Sequence, residues 1–146
     1  MDGLSASQED YLEVIFHLSR DKRQARAKDI AQALKVSRAS VTEALRGLSK
    51  RKLINYAPYE AISLTVGGRK AALDVVQRHQ ALKNFFIRIL AVDEDLADRG
   101  ACRVEHAAPP EIIKRLTALG LFLEKRDKAL LAEFTNSLSS ADNKRL

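Results

Sequence analysis

Cys102, Glu105 and His106 stand at i, i+3 and i+4, a spacing that puts all three on one face of a helix. A thiol, a carboxylate and an imidazole brought together there are good ligands for a divalent transition metal. Spacing alone leaves a plainer alternative open, three polar side chains on a solvated helical face. Two other places could extend the site. Asp10 and Glu13 share a face at i and i+3 near the start of the chain, and His79 lies midway along a long apolar-patterned segment. Each has its own plain explanation: acidic charge favoured at a helix N-terminus for the first pair, a satisfied core imidazole for the second.

The chain that must position these groups has 146 residues, enough for one or two domains with a real core. Its apolar share of 46% is ordinary for a globular protein. No apolar run approaches the ~18 residues of a membrane span. Met1-Asp2-Gly3-Leu4-Ser5 has neither a basic nor an apolar leader segment, so the expectation is a cytoplasmic protein with no membrane partner. A single cysteine excludes an internal disulfide framework and leaves Cys102 for other chemistry. The formal charge of +6 is uneven: residues 1–70 hold 13 Lys and Arg against 8 Asp and Glu, and residues 71–146 hold 12 against 11. Basic charge in one half points to a polyanion-binding half joined to a near-neutral one.

Apolar residues at Tyr11, Leu12, Ile15, Phe16 and Leu18 predict a first helix over residues 5–20, with a cap-like Ser7 and Asp10 at its start. A basic connector (Arg20, Lys22, Arg23, Arg26, Lys28) leads to a short helix with Ile30, Ala31 and Leu34 inward. After Lys35-Val36-Ser37, in which Val36 is expected to plug the corner, Ser37 caps a helix over 38–50 that buries Val41, Ala44, Leu45 and Leu48. Two short helices joined by a tight turn form a helix-turn-helix. The outer face of the second carries Arg38, Ala39, Ser40, Thr42, Glu43 and Arg46, side chains suited to base edges in a major groove. Lys50-Arg51-Lys52 follows, then two short β-prone runs, 53–56 and 61–64, around Ala57-Pro58-Tyr59-Glu60. This hairpin is a wing whose tip, Tyr59, and basic triplet are placed to meet phosphates. The expected DNA contacts are thus Arg26, Lys28, Ser37, Arg38, Ala39, Ser40, Thr42, Glu43, Arg46, Lys50, Arg51, Lys52 and Tyr59, with double-stranded DNA as the partner.

Thr65 caps a long helix to about Leu90, with Gly67 and Gly68 expected to fray or bend its first turn. A 70-residue winged helix cannot cover all of it. The crowding of Leu82, Phe85, Phe86, Ile89 and Leu90, joined by Ile113 and Leu116, therefore predicts an interface with a second copy. A further helix runs from Asp93 to His106; Pro109-Pro110 interrupts; a short helix over 111–119 is closed by Gly120; and 125–134 adds one more. The fold expected is mainly α: an N-terminal winged helix-turn-helix with a small β-hairpin wing (1–70), an all-α dimerisation domain (71–135) and a frayed tail (136–146).

Asp10-Tyr11-Leu12-Glu13, the winged helix ending Leu64-Thr65-Val66-Gly67-Gly68, Arg78-His79, and Cys102-Arg103-Val104-Glu105-His106 together resemble the iron- and manganese-dependent repressors. This is the diphtheria toxin repressor and manganese transport regulator family, and the resemblance spans about residues 5–123. It implies a homodimeric repressor whose metal site joins the first helix to the dimerisation domain. Asp10 and Glu13 match carboxylates of the manganese branch. His79, Glu105 and His106 match ligands used across the family, and Cys102 matches the thiol of the iron branch. Lys83 departs from the pattern, standing where the iron branch has a carboxylate of an ancillary site. The sequence stops before the third, SH3-like domain of the larger iron repressors, and a two-domain protein is the expectation. Oxygen ligands suit manganese or iron, while a thiolate pulls toward iron, cobalt or zinc. The expectation is Fe(II) ahead of Mn(II), with Co(II), Ni(II) or Zn(II) able to bind in vitro.

Two other regulators would explain the first half: a winged helix answering to a small organic ligand, and a repressor sensing oxidation of Cys102. The first gives no reason for Asp10, His79 and Cys102 together. An enzyme is not expected, because no oxyanion donor or orienting group accompanies Cys102 and His106.

Overall fold

The structure, a computed structural model, describes residues 3–20 and 24–142, with side chains through residue 139. Lys22 and Arg23 of the basic connector, and residues 143–146 of the tail, lie outside the described residues. Among these, seven helices and one two-stranded sheet divide into two units, Met1–Val76 and Gln77–Leu146. The division falls inside the long fourth helix, six residues beyond the boundary expected from the sequence.

Helix α1 (Ala6–Arg20) is capped by Ser5 rather than Ser7. The Gln8 N–H donates to Ser5 Oγ at 3.2 Å and the Ser5 N–H donates to Gln8 Oε1 at 3.2 Å. That reciprocal pair satisfies two backbone donors at once, which Ser7, already inside the first turn, cannot do. Tyr11, Leu12 and Ile15 face a core shared with Ile30, Val41, Leu45, Leu48, Ile54, Ile62 and Ala72.

Helix α2 (Ala27–Leu34) ends at Lys35, which is left-handed (φ 55°). The Val36 N–H closes back on Ala31 O at 3.1 Å, a main-chain cap that ends the helix without a side-chain plug. Val36 itself is 39% exposed, so the corner is not filled by it as expected. Helix α3 (Arg38–Lys50) is capped by Ser37, which accepts from the Ser40 N–H at 3.1 Å. It ends in the same way as α2: Lys52 is left-handed (φ 58°) and the Leu53 N–H bonds Leu48 O at 3.1 Å.

The wing is smaller than the sequence suggests. Strand β1 (Ile54–Asn55) pairs antiparallel with β2 (Ser63–Leu64), Ile54 opposite Leu64, and Ala25 bridges to Ile62 beside them. Thr65 ties this sheet to helix α4 (Val66–Arg88): its hydroxyl caps the Gly68 N–H at 3.0 Å and lies 2.8 Å from Lys52 O. Gly68 does not loosen the helix start. A Cβ there would stand 1.8 Å from Leu53 O, so glycine is what lets the helix press against the main chain before β1.

In the second unit, α5 (Glu94–Ala107) is capped by Asp93, and α6 (Pro110–Arg126) starts with a proline at its first turn. Helix α6 runs straight through Gly120 instead of stopping there. A Cβ at Gly120 would come within 2.8 Å of Phe85 Cδ2, so the residue is small because a ring packs on it. Asp127 then caps α7 (Lys128–Asp142), accepting from the Leu130 N–H at 2.9 Å. This helix continues past Asn136, where the composition suggested fraying. The core of the unit is modest: Leu82, Ala101 and Ile113, with Phe86, Val104 and Ala108 against them.

Candidate metal centre and nucleic-acid interface

Helix α5 presents Cys102, Glu105 and His106 as their spacing predicts, with ligand atoms all within 4.8 Å of one another. Cys102 is exposed, His106 is largely covered and Glu105 is fully buried. Helix α4 brings His79 to the same carboxylate: His79 Nδ1 is 2.8 Å from Glu105 Oε2. His106 Nε2 stands 3.1 Å from the other oxygen, Oε1. That approach is within ion-pair distance but out of hydrogen-bond alignment, and Glu105 Oε1 has no hydrogen-bond partner among the described residues. A buried carboxylate oxygen left so costs about 1–3 kcal/mol or more. A dication relieves that cost, and the spacing suits one: donor atoms about 2.1 Å from an ion and at right angles to one another stand roughly 3 Å apart. The thiol of Cys102, the carboxylate of Glu105 and the imidazole of His106 fit a transition metal by type and by position, with the His79 imidazole against the same carboxylate.

Around these donors lies a second layer that sequence patterns did not reveal. Asp98 Oδ1 is 3.2 Å from His79 Nε2 and 3.1 Å from Lys83 Nζ, and Lys83 also reaches Glu94 at 3.1 Å. The His79 hydrogen bond, and after it that of Lys83, holds the Asp98 carboxyl below its usual range. Glu94, then Asp98, raises Lys83. Arg78 Nη1 donates to the main-chain oxygen of Glu105 at 2.9 Å, fixing the end of α5. Asp10 and Glu13 belong to the first unit, on one face of α1, where Glu13 Oε1 lies 3.6 Å from His17 Nε2.

The expected DNA-reading face is exposed in the first unit: Ser37, Arg38, Ala39, Ser40, Glu43, Arg46 and Lys50 are all solvent-facing, and Thr42 is half-buried. An open concavity of about 1160 Å³ runs along it, lined by Ser40, Thr42, Glu43, Arg46 and Lys50 on one side and Ser7 and Gln8 on the other. Several hydroxyls are already engaged: Ser37 and Ser40 bond each other at 2.9 Å, and Thr42 donates to Arg38 O at 3.0 Å. Arg51 is turned to α1, donating to Gln8 Oε1 at 2.7 Å. Arg26 and Lys28 are exposed at the start of α2, and Tyr59 is fully exposed at the wing tip with φ 66°.

The residues expected at a dimer face differ in their exposure. Leu82, Ile113 and Ile89 are at most 7% exposed and belong to the unit's own packing. Phe85, Phe86 and Leu116 are half-buried and Leu90 is exposed. Apolar side chains left in solvent in this unit include Ile112, Leu119, Leu121, Phe122, Leu130, Phe134 and Leu138 on α6 and α7, and Leu96 on α5. Periodicity told which faces are apolar but not which of them the chain covers itself.

A winged helix followed by an α-helical unit with candidate metal ligands gathered around a buried carboxylate is the build of a metal-responsive regulator. The chain belongs to the iron dependent repressor family: residues 3–62 match its N-terminal DNA-binding domain and residues 65–128 its metal-binding and dimerisation domain. That family consists of transcriptional repressors, not enzymes. An uncharacterized HTH-type transcriptional regulator of Methanocaldococcus jannaschii is 35% identical over 127 residues, 86% of this chain and 99% of that one. The HTH-type transcriptional regulator MntR of Bacillus subtilis is 36% identical over 121 residues, 83% of this chain and 84% of that one. Among solved structures, a manganese-dependent transcriptional repressor in complex with manganese superposes with a TM-score of 0.72 at 30% identity. The match covers 79% of this chain and 53% of that one, so this chain spans about half the length of that repressor.

Proposed function

We propose that the chain is a metal-dependent transcriptional repressor that binds a palindromic double-stranded operator as a homodimer and controls metal homeostasis in the cytoplasm. The observation that carries this is Glu105: a fully buried carboxylate, flanked by His79 and His106, with one oxygen lacking a hydrogen bond among the described residues. The ligand set proposed is Asp10, Glu13, His79, Cys102, Glu105 and His106. Asp10 and Glu13 enter it on the family resemblance and on the preference of divalent ions for carboxylate oxygen. Fe(II) is proposed ahead of Mn(II) because Cys102 offers a thiolate; a glutamate there would favour manganese.

A bound dication supplies the positive charge that offsets the clustered carboxylates. Without that charge Asp10, Glu13 and Glu105 repel one another, and the two units are loosely tied. With it, the side chains of α1, α4 and α5 are held to common donor positions. The two α3 helices of a dimer are then fixed at a separation that fits successive major grooves on one face of a palindrome. Arg38, Glu43 and Arg46 read base edges, while Arg26, Lys28, Lys50, Lys52 and Tyr59 meet phosphates and set orientation. Metal and operator must strengthen each other's binding by the same coupling free energy. The apolar side chains exposed on α6 and α7, among them Ile112, Leu119, Leu121, Phe122, Leu130 and Phe134, are proposed as part of the face that pairs, together with the exposed Leu90.

The test is selection of duplexes from a random-sequence library under anaerobic Mn(II) or Fe(II), followed by mobility shifts with and without chelator. The expected result is a palindromic site bound only with metal, and weakened metal dependence in Cys102→Ala and His79→Ala that remain dimeric. Equal affinity in chelator overturns the proposal.

A further inference from the structure

Lys83 lies one helical turn after His79 on α4 and sends its ammonium between two carboxylates of α5. Nζ is 3.1 Å from Glu94 Oε1 and 3.1 Å from Asp98 Oδ1. The same Asp98 oxygen is 3.2 Å from His79 Nε2. The Lys83 side chain is 19% exposed, against 77% for Glu94 and 52% for Asp98, so its stem is the most covered of the three side chains. Two carboxylates and an imidazole from adjoining turns of two helices are a donor set for a divalent ion. Here a tethered cation stands among them. An ammonium donates hydrogen bonds, accepts none and cannot exchange with ions in solution.

Building on the metal centre proposed at Glu105, we infer that Lys83 is a built-in cation that closes the Glu94–Asp98–His79 cluster to a second metal ion, so that each subunit loads one. The single positive charge of Lys83, shared between Glu94 and Asp98, offsets one of their two negative charges permanently, and the cluster keeps its shape whether or not the neighbouring centre is filled. Asp98, held by Lys83, keeps the Nε2 side of His79 engaged, which leaves Nδ1 turned toward Glu105. A carboxylate at position 83 would do the opposite, leaving four donors around a space with no positive charge.

Anaerobic titration calorimetry of the whole metal-stripped chain with Mn(II) alone, and then with Co(II) alone, tests this. The wild type is expected to take up one ion per subunit. Lys83→Glu is expected to take up two, and Lys83→Met one ion as before plus a second, weaker uptake. Circular dichroism establishes that each variant is folded, and if Lys83→Glu is not, Lys83→Met decides. Two ions in the wild type, or a single ion in a folded Lys83→Met, overturns the inference while leaving the metal centre at Glu105 standing. No uptake by the wild type overturns that centre, and the inference with it.

Discussion

Replacing Glu105 by glutamine should separate the cost of the metal-free protein from the gain on loading. Glu105 is fully buried, with Oε2 held by His79 Nδ1 at 2.8 Å and Oε1 without a hydrogen bond. Removing the buried charge recovers about 1–3 kcal/mol of desolvation. It also turns the charge-assisted bond to His79 into a neutral one, a loss of roughly 1 kcal/mol. The net expectation for the metal-free chain is between no change and a gain of about 2 kcal/mol, a rise in Tm of a few degrees. Loading should show the reverse. A ligand at about 100 times its Kd stabilises by about 2.7 kcal/mol, and a hundredfold weaker site under the same conditions keeps only about 0.4 kcal/mol. Thermal unfolding with chelator and with Co(II) would therefore cross over: Glu105→Gln at least as stable as wild type without metal and less stable with it. A variant that melts well below wild type in chelator yet retains the full Co(II) shift would refute the account of Glu105 as a carboxylate waiting for a cation.

Three further outcomes follow from the geometry. Gly67 and Gly68 should respond in opposite directions to alanine: Gly68→Ala drives a Cβ into Leu53 O and should lose about 3 kcal/mol or more. Gly67→Ala has its nearest neighbour at 3.9 Å and should gain about 0.5–1 kcal/mol, both read by urea unfolding. Lys35→Gly should stabilise by up to about 1 kcal/mol because Lys35 is left-handed, and a clear loss would show that it is not. Asp98 should titrate below 3.8, and its contribution to stability, small because the side chain is half exposed, should be present above that pH and fall away as pH drops through its lowered value. An NMR titration of its carboxyl carbon checks this, and in His79→Ala, which removes the larger cause, the midpoint should move back up.

What the sequence showed and what it hid divide along physical lines. The convergence of Cys102, Glu105 and His106 was legible because helical spacing fixes which side chains share a face. The pairing of His79 with Glu105 came only from the resemblance, since 26 residues separate them and no periodicity joins two helices. Asp98 went unseen for the same reason: it looks like any exposed acidic residue until His79 and Lys83 are placed beside it. Glycine misled twice. Gly68 and Gly120 read as loose or terminal positions, whereas both sit in helices where a neighbour leaves no room for a Cβ. Capping was legible at Ser37, but Ser5 outcompeted Ser7 because Gln8 can answer it.

The same commitment of polar atoms narrows what α3 has left for DNA. Ser37 and Ser40 are tied to each other and to the helix start, and Thr42 is back-bonded to Arg38 O. A hydroxyl already donating to its own helix is a poorer donor to a base edge. Arg51, seemingly one of three equal cations, is held by Gln8 and Gly3 O, which joins the end of α3 to the cap of α1. The side chains with reach and charge still exposed along the concavity are Arg46, Lys50 and Glu43, and Arg38 is exposed at the start of α3. In the proposed DNA complex, base reading would therefore fall on a few long side chains, while the short ones would keep the helix rigid and let its backbone approach the groove floor. In this division of labour, Ser37 and Ser40 matter to recognition through the shape they hold.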